Sequence, residues 1–313
     1  MRVWTALLNS ALVAISILLL WKGSDWLVES AARIGRRYKI SDLTIGLTIV
    51  AFGTSAPEFA VTVSAALTGK ADISVGNIVG SNIFNLGFIL GGAVIFRALK
   101  TTRTLVYRDG SLLIGTSFVL VLFLHDHFLA RWEGIALFSG LLLYLCLLFF
   151  TKQSGALDDE EIPEGVASWK DIPMLLLGIA CVVGGGHLLV ESASTLARFM
   201  GVSEWVIAVT IVAAGTSAPE FATSLMAAAK GHHGMSLGNL VGSDLFNLLG
   251  VLGLAGIIRP MGVAESSSSS IWMLAGMCVL VVVFMRMGWK LTRSKGACLI
   301  LVGLVRWVLD FLQ

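Results

Sequence analysis

Two identical hexapeptides carry the costliest polar groups in the chain. Gly53-Thr54-Ser55-Ala56-Pro57-Glu58 and Gly215-Thr216-Ser217-Ala218-Pro219-Glu220 both read GTSAPE, and each lies deep in a long apolar stretch. A carboxylate there is expensive: even the lower insertion scales put an Asp at a helix centre at roughly +2.5 to +3.5 kcal/mol. Each copy also holds a proline in a helical context. It lacks a backbone donor and pushes away the carbonyl four residues earlier, at Gly53 and Gly215. An acid, two hydroxyls and a freed carbonyl per copy form a ligand inventory for a hard cation.

A second repeated segment returns to the same depth. Gly76-Asn77-Ile78-Val79-Gly80-Ser81-Asn82-Ile83-Phe84-Asn85 recurs as Gly238-Asn239-Leu240-Val241-Gly242-Ser243-Asp244-Leu245-Phe246-Asn247. Glu58 lies about 10–12 residues before the loop near Lys70, roughly 15–18 Å at 1.5 Å per residue, and Asn85 lies about as far beyond it. The same holds for Glu220, the loop at 231–234, and Asn247. Ser81 and Ser243 sit one turn before those asparagines and share their face. Two ionised carboxylates carry −2, which one Ca²⁺ or two Na⁺ would neutralise. Oxygens of Glu58, Glu220, Thr54, Thr216 and backbone carbonyls approach the six to eight that Ca²⁺ takes.

The elements that position these residues follow from the rest of the chain. The 313 residues are 56% hydrophobic and 13% charged with mean hydropathy +0.87, the composition of a membrane protein. The net charge of +2 gives no reason to expect nucleic acid. The four cysteines lie in apolar stretches without metal-like spacing and read as small buried hydrophobes. Ten apolar runs predict ten transmembrane helices: roughly 3–32, 41–67, 73–96, 106–125, 132–151, 170–197, 204–229, 235–258, 269–287 and 294–311. The fold class is therefore an all-α polytopic membrane protein. The first and sixth runs exceed what a bilayer needs, so they should tilt or project.

The two motif pairs belong to a gapless duplication: 191 − 29, 220 − 58 and 247 − 85 are all 162, and about half the positions from 27 to 93 match their partners. Five spans per half give the halves opposite orientation, so the ten helices read as two inverted five-helix repeats. These are residues 1–152 and 170–313, joined by a short acidic linker at 153–169. Inverted repeats with interrupted helices near the midplane are the pattern of secondary transporters. Of the 22 basic residues, 15 fall in one set of loops, which predicts a cytoplasmic linker and both termini outside the cell membrane. The linker carries Asp158, Asp159, Glu160, Glu161 and Glu164 without EF-hand spacing and reads as a solvated connection.

The paired GTSAPE and GN-x-VGS-x-x-FN segments resemble the alpha repeats of the calcium/cation antiporter superfamily, on the prokaryotic sodium/calcium exchanger side. The resemblance covers both repeats and the ten-span plan. It implies a central cation site, and exchange of Ca²⁺ for Na⁺ by sliding of the first and sixth helices against the other eight. It assigns Glu58 and Glu220 as shared carboxylate ligands and Thr54 and Thr216 to the calcium site. Ser55, Ser217, Ala51 and Ala213 would serve flanking sodium sites, the alanines through their carbonyls, and Ser81, Ser243, Asn85 and Asn247 would complete them. Some family members carry an acid where this chain has Asn85 or Asn247, associated with potassium dependence; here both are amides. Asp244 could partly substitute for that acid, but its repeat partner Asn82 is neutral, so it is not placed among the ligands. No cofactor and no obligatory protein partner is implied, only the lipid bilayer and the transported ions, with K⁺ or H⁺ as further possibilities.

The competing readings are specific. Buried acids can simply hydrogen-bond between helices, yet two mirrored acids beside prolines exceed what packing needs. Glu29 and Glu191 lie toward the ends of long helices and read as structural or as part of a sliding interface. A proton/calcium antiporter would usually show GN-x-x-E where this chain shows GTSAPE. An organic-anion carrier would need a core arginine. A hydrolase using Ser55 or Ser217 would need a histidine or lysine base, and neither motif span contains one.

Overall fold

The computed structural model describes residues 2–150, 168–202, 207, 211 and 213–312. The first half contains α1 (Arg2–Tyr38), α2 (Asp42–Thr54), α3 (Ala56–Leu67), α4 (Ala71–Phe96), α5 (Leu105–Asp126) and α6 (Arg131–Phe150). The second contains α7 (Asp171–Phe199), α8 (Ala213–Thr216), α9 (Ala218–Lys230), α10 (His233–Ile258), α11 (Ser268–Trp289) and α12 (Arg293–Leu312). Among the described residues seven helices are long and apolar enough to cross a membrane, or eight if the bent pair α2–α3 counts as one span. Residues 153–167 of the expected linker lie outside the described residues, as does most of 204–212 of the expected seventh span.

The expected second span is a broken helix. α2 and α3 meet at 52°. Ser55 takes φ −77°, ψ 9°, and Pro57 falls in the first turn of α3, where a missing N–H costs no hydrogen bond. Ser217 and Pro219 repeat this at the start of α9. Each proline thus begins a new helix, and each glutamate sits in that helix's first turn. Wider π-helical turns fall at Gly46–Val50, Asn85–Ile89 and Phe246–Val251, and the last two contain Asn85 and Asn247.

Among the described residues, strands occur only in two short antiparallel ladders. β1 (Leu99–Lys100) pairs with β4 (Lys290–Leu291), and β2 (Phe128–Leu129) pairs with β3 (Met261–Gly262). The differences 261 − 99 and 290 − 128 are both 162, so the repeat offset exchanges one ladder with the other. The duplication therefore extends in structure beyond the stretch where identity reveals it.

The two longest helices, of 37 and 29 residues, pack against each other more extensively than any other pair. Their backbones approach closely at small residues: a Cβ on Gly178 would stand 2.7 Å from Leu27 N, and one on Gly23 would stand 2.8 Å from Cys181 Cβ. Arg33 of α1 donates to Asp171 of α7 at 2.6 Å. Lys230, the last residue of α9, bridges Asp25 and Glu29 of α1. The sequence reading gave Asp25 no role, and its role here is this ion pair. A small apolar cluster (Leu27, Val28, Ala31, Ile45, Val50, Ala227, Met235) joins α1 to its neighbours, while a much larger one holds α4–α6 and α10–α12 together.

Candidate cation site

The two hexapeptides meet inside the protein. Ser55 Oγ donates to Glu220 Oε1 at 3.2 Å, and Ser217 Oγ donates to Glu58 Oε1 at 3.1 Å. These bonds are mates under the repeat offset, and all four side chains are fully buried. Each carboxylate is therefore held by the hydroxyl of the other repeat, and the two acids interact electrostatically. Neither second oxygen, Glu58 Oε2 nor Glu220 Oε2, finds a hydrogen-bond donor among the described residues. Buried polar atoms left so are uncommon, and carboxylate oxygens most of all need a donor or a cation.

The GN-x-VGS segments surround this pair. Asn85 Nδ2 donates to Asp244 Oδ1, and Asn247 Nδ2 donates to Asn82 Oδ1, both at 3.1 Å and again related by the offset. Their amide hydrogens thus engage the opposite repeat, which leaves Asn85 Oδ1 and Asn247 Oδ1 unpaired by any described group, as is Asp244 Oδ2. Five buried acceptor oxygens without donors among the described residues (two from glutamates, two from asparagines, one from Asp244) belong to residues linked across the two repeats by these bonds or by charge. Among the described residues no group of three or more His, Cys, Asp or Glu is arranged to hold a metal. The oxygens here are instead a mixture of carboxylate, carboxamide and hydroxyl, which suits a hard ion held in passing better than a resident transition metal.

The other expected residues are distributed unevenly. Thr54 Oγ1 donates to Asn239 Oδ1 at 3.1 Å and lies 3.4 Å from Ser243 Oγ. Ser81 turns its hydroxyl to Ile78 O at 3.2 Å, on its own helix. The Ala51 carbonyl accepts from Ser55 N at 3.0 Å. Ala213 and Thr216 open and close α8, and Thr216 is half-buried where Thr54 is fully buried. Sequence reasoning gave no role to Asn77 or Asn239, although both stand in the repeated motif. They donate to Thr62 Oγ1 and Ser224 Oγ at 3.0 and 2.9 Å and to the carbonyls of Glu58 and Glu220 at 3.4 Å, tying α4 to α3 and α10 to α9. Asp244, left outside the expected ligands, lies within the cluster.

Among the described residues, close helix contacts beside the site are seen at the glycines of the second repeat. Gly238 and Gly242 let α10 press on α2, since a Cβ at Gly238 would stand 2.6 Å from Leu43 O and one at Gly242 would stand 2.7 Å from Leu47 Cα. Their counterparts Gly76 and Gly80 are exposed, with no described atom within 4 Å of a Cβ at either.

Comparison with known proteins decides the family. The sequence profile described as sodium/calcium exchanger protein matches residues 8–150 and 170–306, on both sides of the acidic linker. The chain belongs to this family. As a sodium/calcium exchanger family member it is a multi-pass membrane cation antiporter and not part of a catalytic family. It is 31% identical to the sodium/calcium exchanger MaX1 of Methanosarcina acetivorans, over 94% of this chain and 95% of that protein. It is also 31% identical to the inner membrane protein YrbG of Escherichia coli, over 96% of each chain. The fold matches the sodium-calcium exchanger NCX_Mj, from crystals soaked with zero Na⁺ and Ca²⁺, with a TM-score of 0.85 and 26% identity. That match covers 98% of this chain and 100% of the other.

Proposed function

We propose that this antiporter exchanges Ca²⁺ for Na⁺ by alternating access. The observation that carries the reading is the reciprocal pair of hydrogen bonds, Ser55 to Glu220 and Ser217 to Glu58, beside which one oxygen of each buried carboxylate has no donor among the described residues. Glu58 and Glu220 ligate either cargo. Thr54 and Thr216 contribute to the calcium position. Ser55, Ser217, the Ala51 and Ala213 carbonyls, Ser81, Ser243, Asn85 and Asn247 serve the sodium positions, and Asp244 joins them through its unpaired oxygen. One Ca²⁺ or two Na⁺ offset the charge of the two glutamates, so either cargo relieves the cost of burying them and allows the loaded carrier to move. In this reading ten transmembrane helices form two inverted five-helix repeats, residues 1–152 and 170–313, with the 153–169 linker cytoplasmic and both termini outside the cell membrane. The paired helices α1 and α7 slide as a unit against the rest, across their small apolar contact.

The test is ⁴⁵Ca²⁺ uptake into proteoliposomes with Na⁺, K⁺ and H⁺ gradients imposed separately. A Na⁺ gradient should drive uptake, and Glu58→Gln or Glu220→Gln should abolish it while the protein stays folded. Uptake driven by H⁺ alone would replace sodium exchange with proton exchange. Wild-type flux in either glutamine variant would exclude the site.

A further inference from the structure

A group of cations outside the central site is held together without acids. In the β1–β4 ladder Lys100 faces Lys290, and both are exposed. Like charges directly opposite destabilise a ladder. Beside them Arg286 and Arg103 share one indole: their Cζ atoms lie 4.6 and 5.8 Å from the Trp289 ring centre. Arg286 Nε also donates to Tyr107 Oη at 2.6 Å. The ion pairs among the described residues leave Lys100, Arg103, Arg286 and Lys290 without a carboxylate.

The backbone here is strained toward this arrangement. Trp289 has φ +53° after Gly288 at φ +74°, a left-handed conformation unfavourable for a bulky side chain. Lys295 Nζ fastens the turn by donating to the carbonyls of Phe284, Met287 and Lys290. A charge signal for membrane orientation requires only that cations lie on this side. It does not require two guanidiniums on one indole held in a left-handed turn. Exposed apolar side chains, Val283 and Met287, lie in the part of α11 that leads from its membrane-crossing stretch to Trp289.

We propose that this face binds the phosphate of an anionic phospholipid headgroup. Arg103 and Arg286 supply planar donors suited to phosphate oxygens, Lys100 and Lys290 supply point charges, and Trp289 and Tyr107 sit at headgroup level. The bound anion relieves the Lys100–Lys290 repulsion, and the acyl chains lie along Val283 and Met287. That apolar continuation selects a lipid over a soluble anion.

The experiment follows thermal melting of the purified protein in neutral detergent. It is titrated with phosphatidylglycerol, phosphatidylcholine or inorganic phosphate. Phosphatidylglycerol should raise the melting temperature, and the other two should not. Arg103→Gln/Arg286→Gln should need roughly thirtyfold more phosphatidylglycerol for the same rise, about fivefold per lost charge. Lys290→Gln, which leaves the Arg286–Tyr107 bond intact, should need about fivefold more and keeps the test open should the double variant fold poorly. No rise in the wild type, or equal titrations in wild type and Lys290→Gln, overturns the proposal. An equal rise with inorganic phosphate overturns the lipid assignment.

Discussion

Among the described residues nothing crowds Gly76 or Gly80, and that makes a sharp prediction. Both are exposed on α4, and a Cβ at either meets no described atom within 4 Å. Their mates Gly238 and Gly242 would place a Cβ 2.6 Å from Leu43 O and 2.7 Å from Leu47 Cα. If alternating access exchanges the packing of the two repeats, Gly76 and Gly80 must make that same close approach in the opposite state. The double variant Gly76→Ala/Gly80→Ala should then separate stability from transport. In the present state each alanine gains helix propensity, about 0.8–1.0 kcal/mol per site, so melting should rise by a few degrees. In the exchanged state each added methyl overpacks a tight contact at about 1–3 kcal/mol, or about 2–6 kcal/mol for the pair. That lowers the population of the exchanged state by roughly thirtyfold to 10⁴-fold. Melting of the purified variant and sodium-driven ⁴⁵Ca²⁺ flux in proteoliposomes read the two effects. A variant that melts normally and transports at the wild-type rate would refute the exchange of packing between repeats.

Other outcomes follow from the same contacts. Gly238→Ala clashes in the present state and should lower the melting temperature where Gly76→Ala does not. Ser55→Ala and Ser217→Ala each remove a hydroxyl that donates to the opposite glutamate, so each should weaken cation binding by about tenfold, the loss of one hydrogen bond to a charged group; unchanged binding in either variant, read by titration calorimetry, would argue against a shared site. Lys230→Met removes the cation between Asp25 and Glu29. The repeat counterparts of these three residues are Thr68, His187 and Glu191, so the bridge has no mirror image. Its loss should shift the balance of the two states by no more than about fivefold, the range of a partly exposed pair, as read by cysteine labelling from either side. Tyr144→Phe deletes the 2.9 Å hydrogen bond to buried Asp109. It should cost about 1–3 kcal/mol of stability without altering the Na⁺ dependence of flux.

The sequence shows the repeat plainly because the duplicated positions are polar residues in apolar surroundings, where drift is conspicuous. Hydropathy likewise locates the helices, since run length and composition alone decide what crosses a bilayer. What it cannot locate is the break. Pro57 suggests one, but only the backbone at Ser55 shows that the interruption precedes the proline and leaves Glu58 in the first turn of a new helix. Asn77 and Asn239 were visible as motif members, yet their partners Thr62 and Ser224 lie on other helices. Asp244 has no matching acid in the first repeat, so repeat logic does not single it out, and its hydrogen bond to Asn85 of the other half is visible only in the fold. The ladders escape any period-based reading, being two residues per strand.

That mismatch between Asp244 and Asn82 has a consequence of its own. A carrier made of two identical halves would treat the two faces of the membrane alike, resting equally on either. Here one half contributes an acid where the other contributes an amide, and both are fully buried and bonded to an asparagine of the opposite half. Swapping the conformations of the halves therefore does not regenerate the same molecule seen from the other side. If the halves exchange conformations as proposed, the two open states differ in ion affinity and resting occupancy even between equal solutions, although net flux there stays zero.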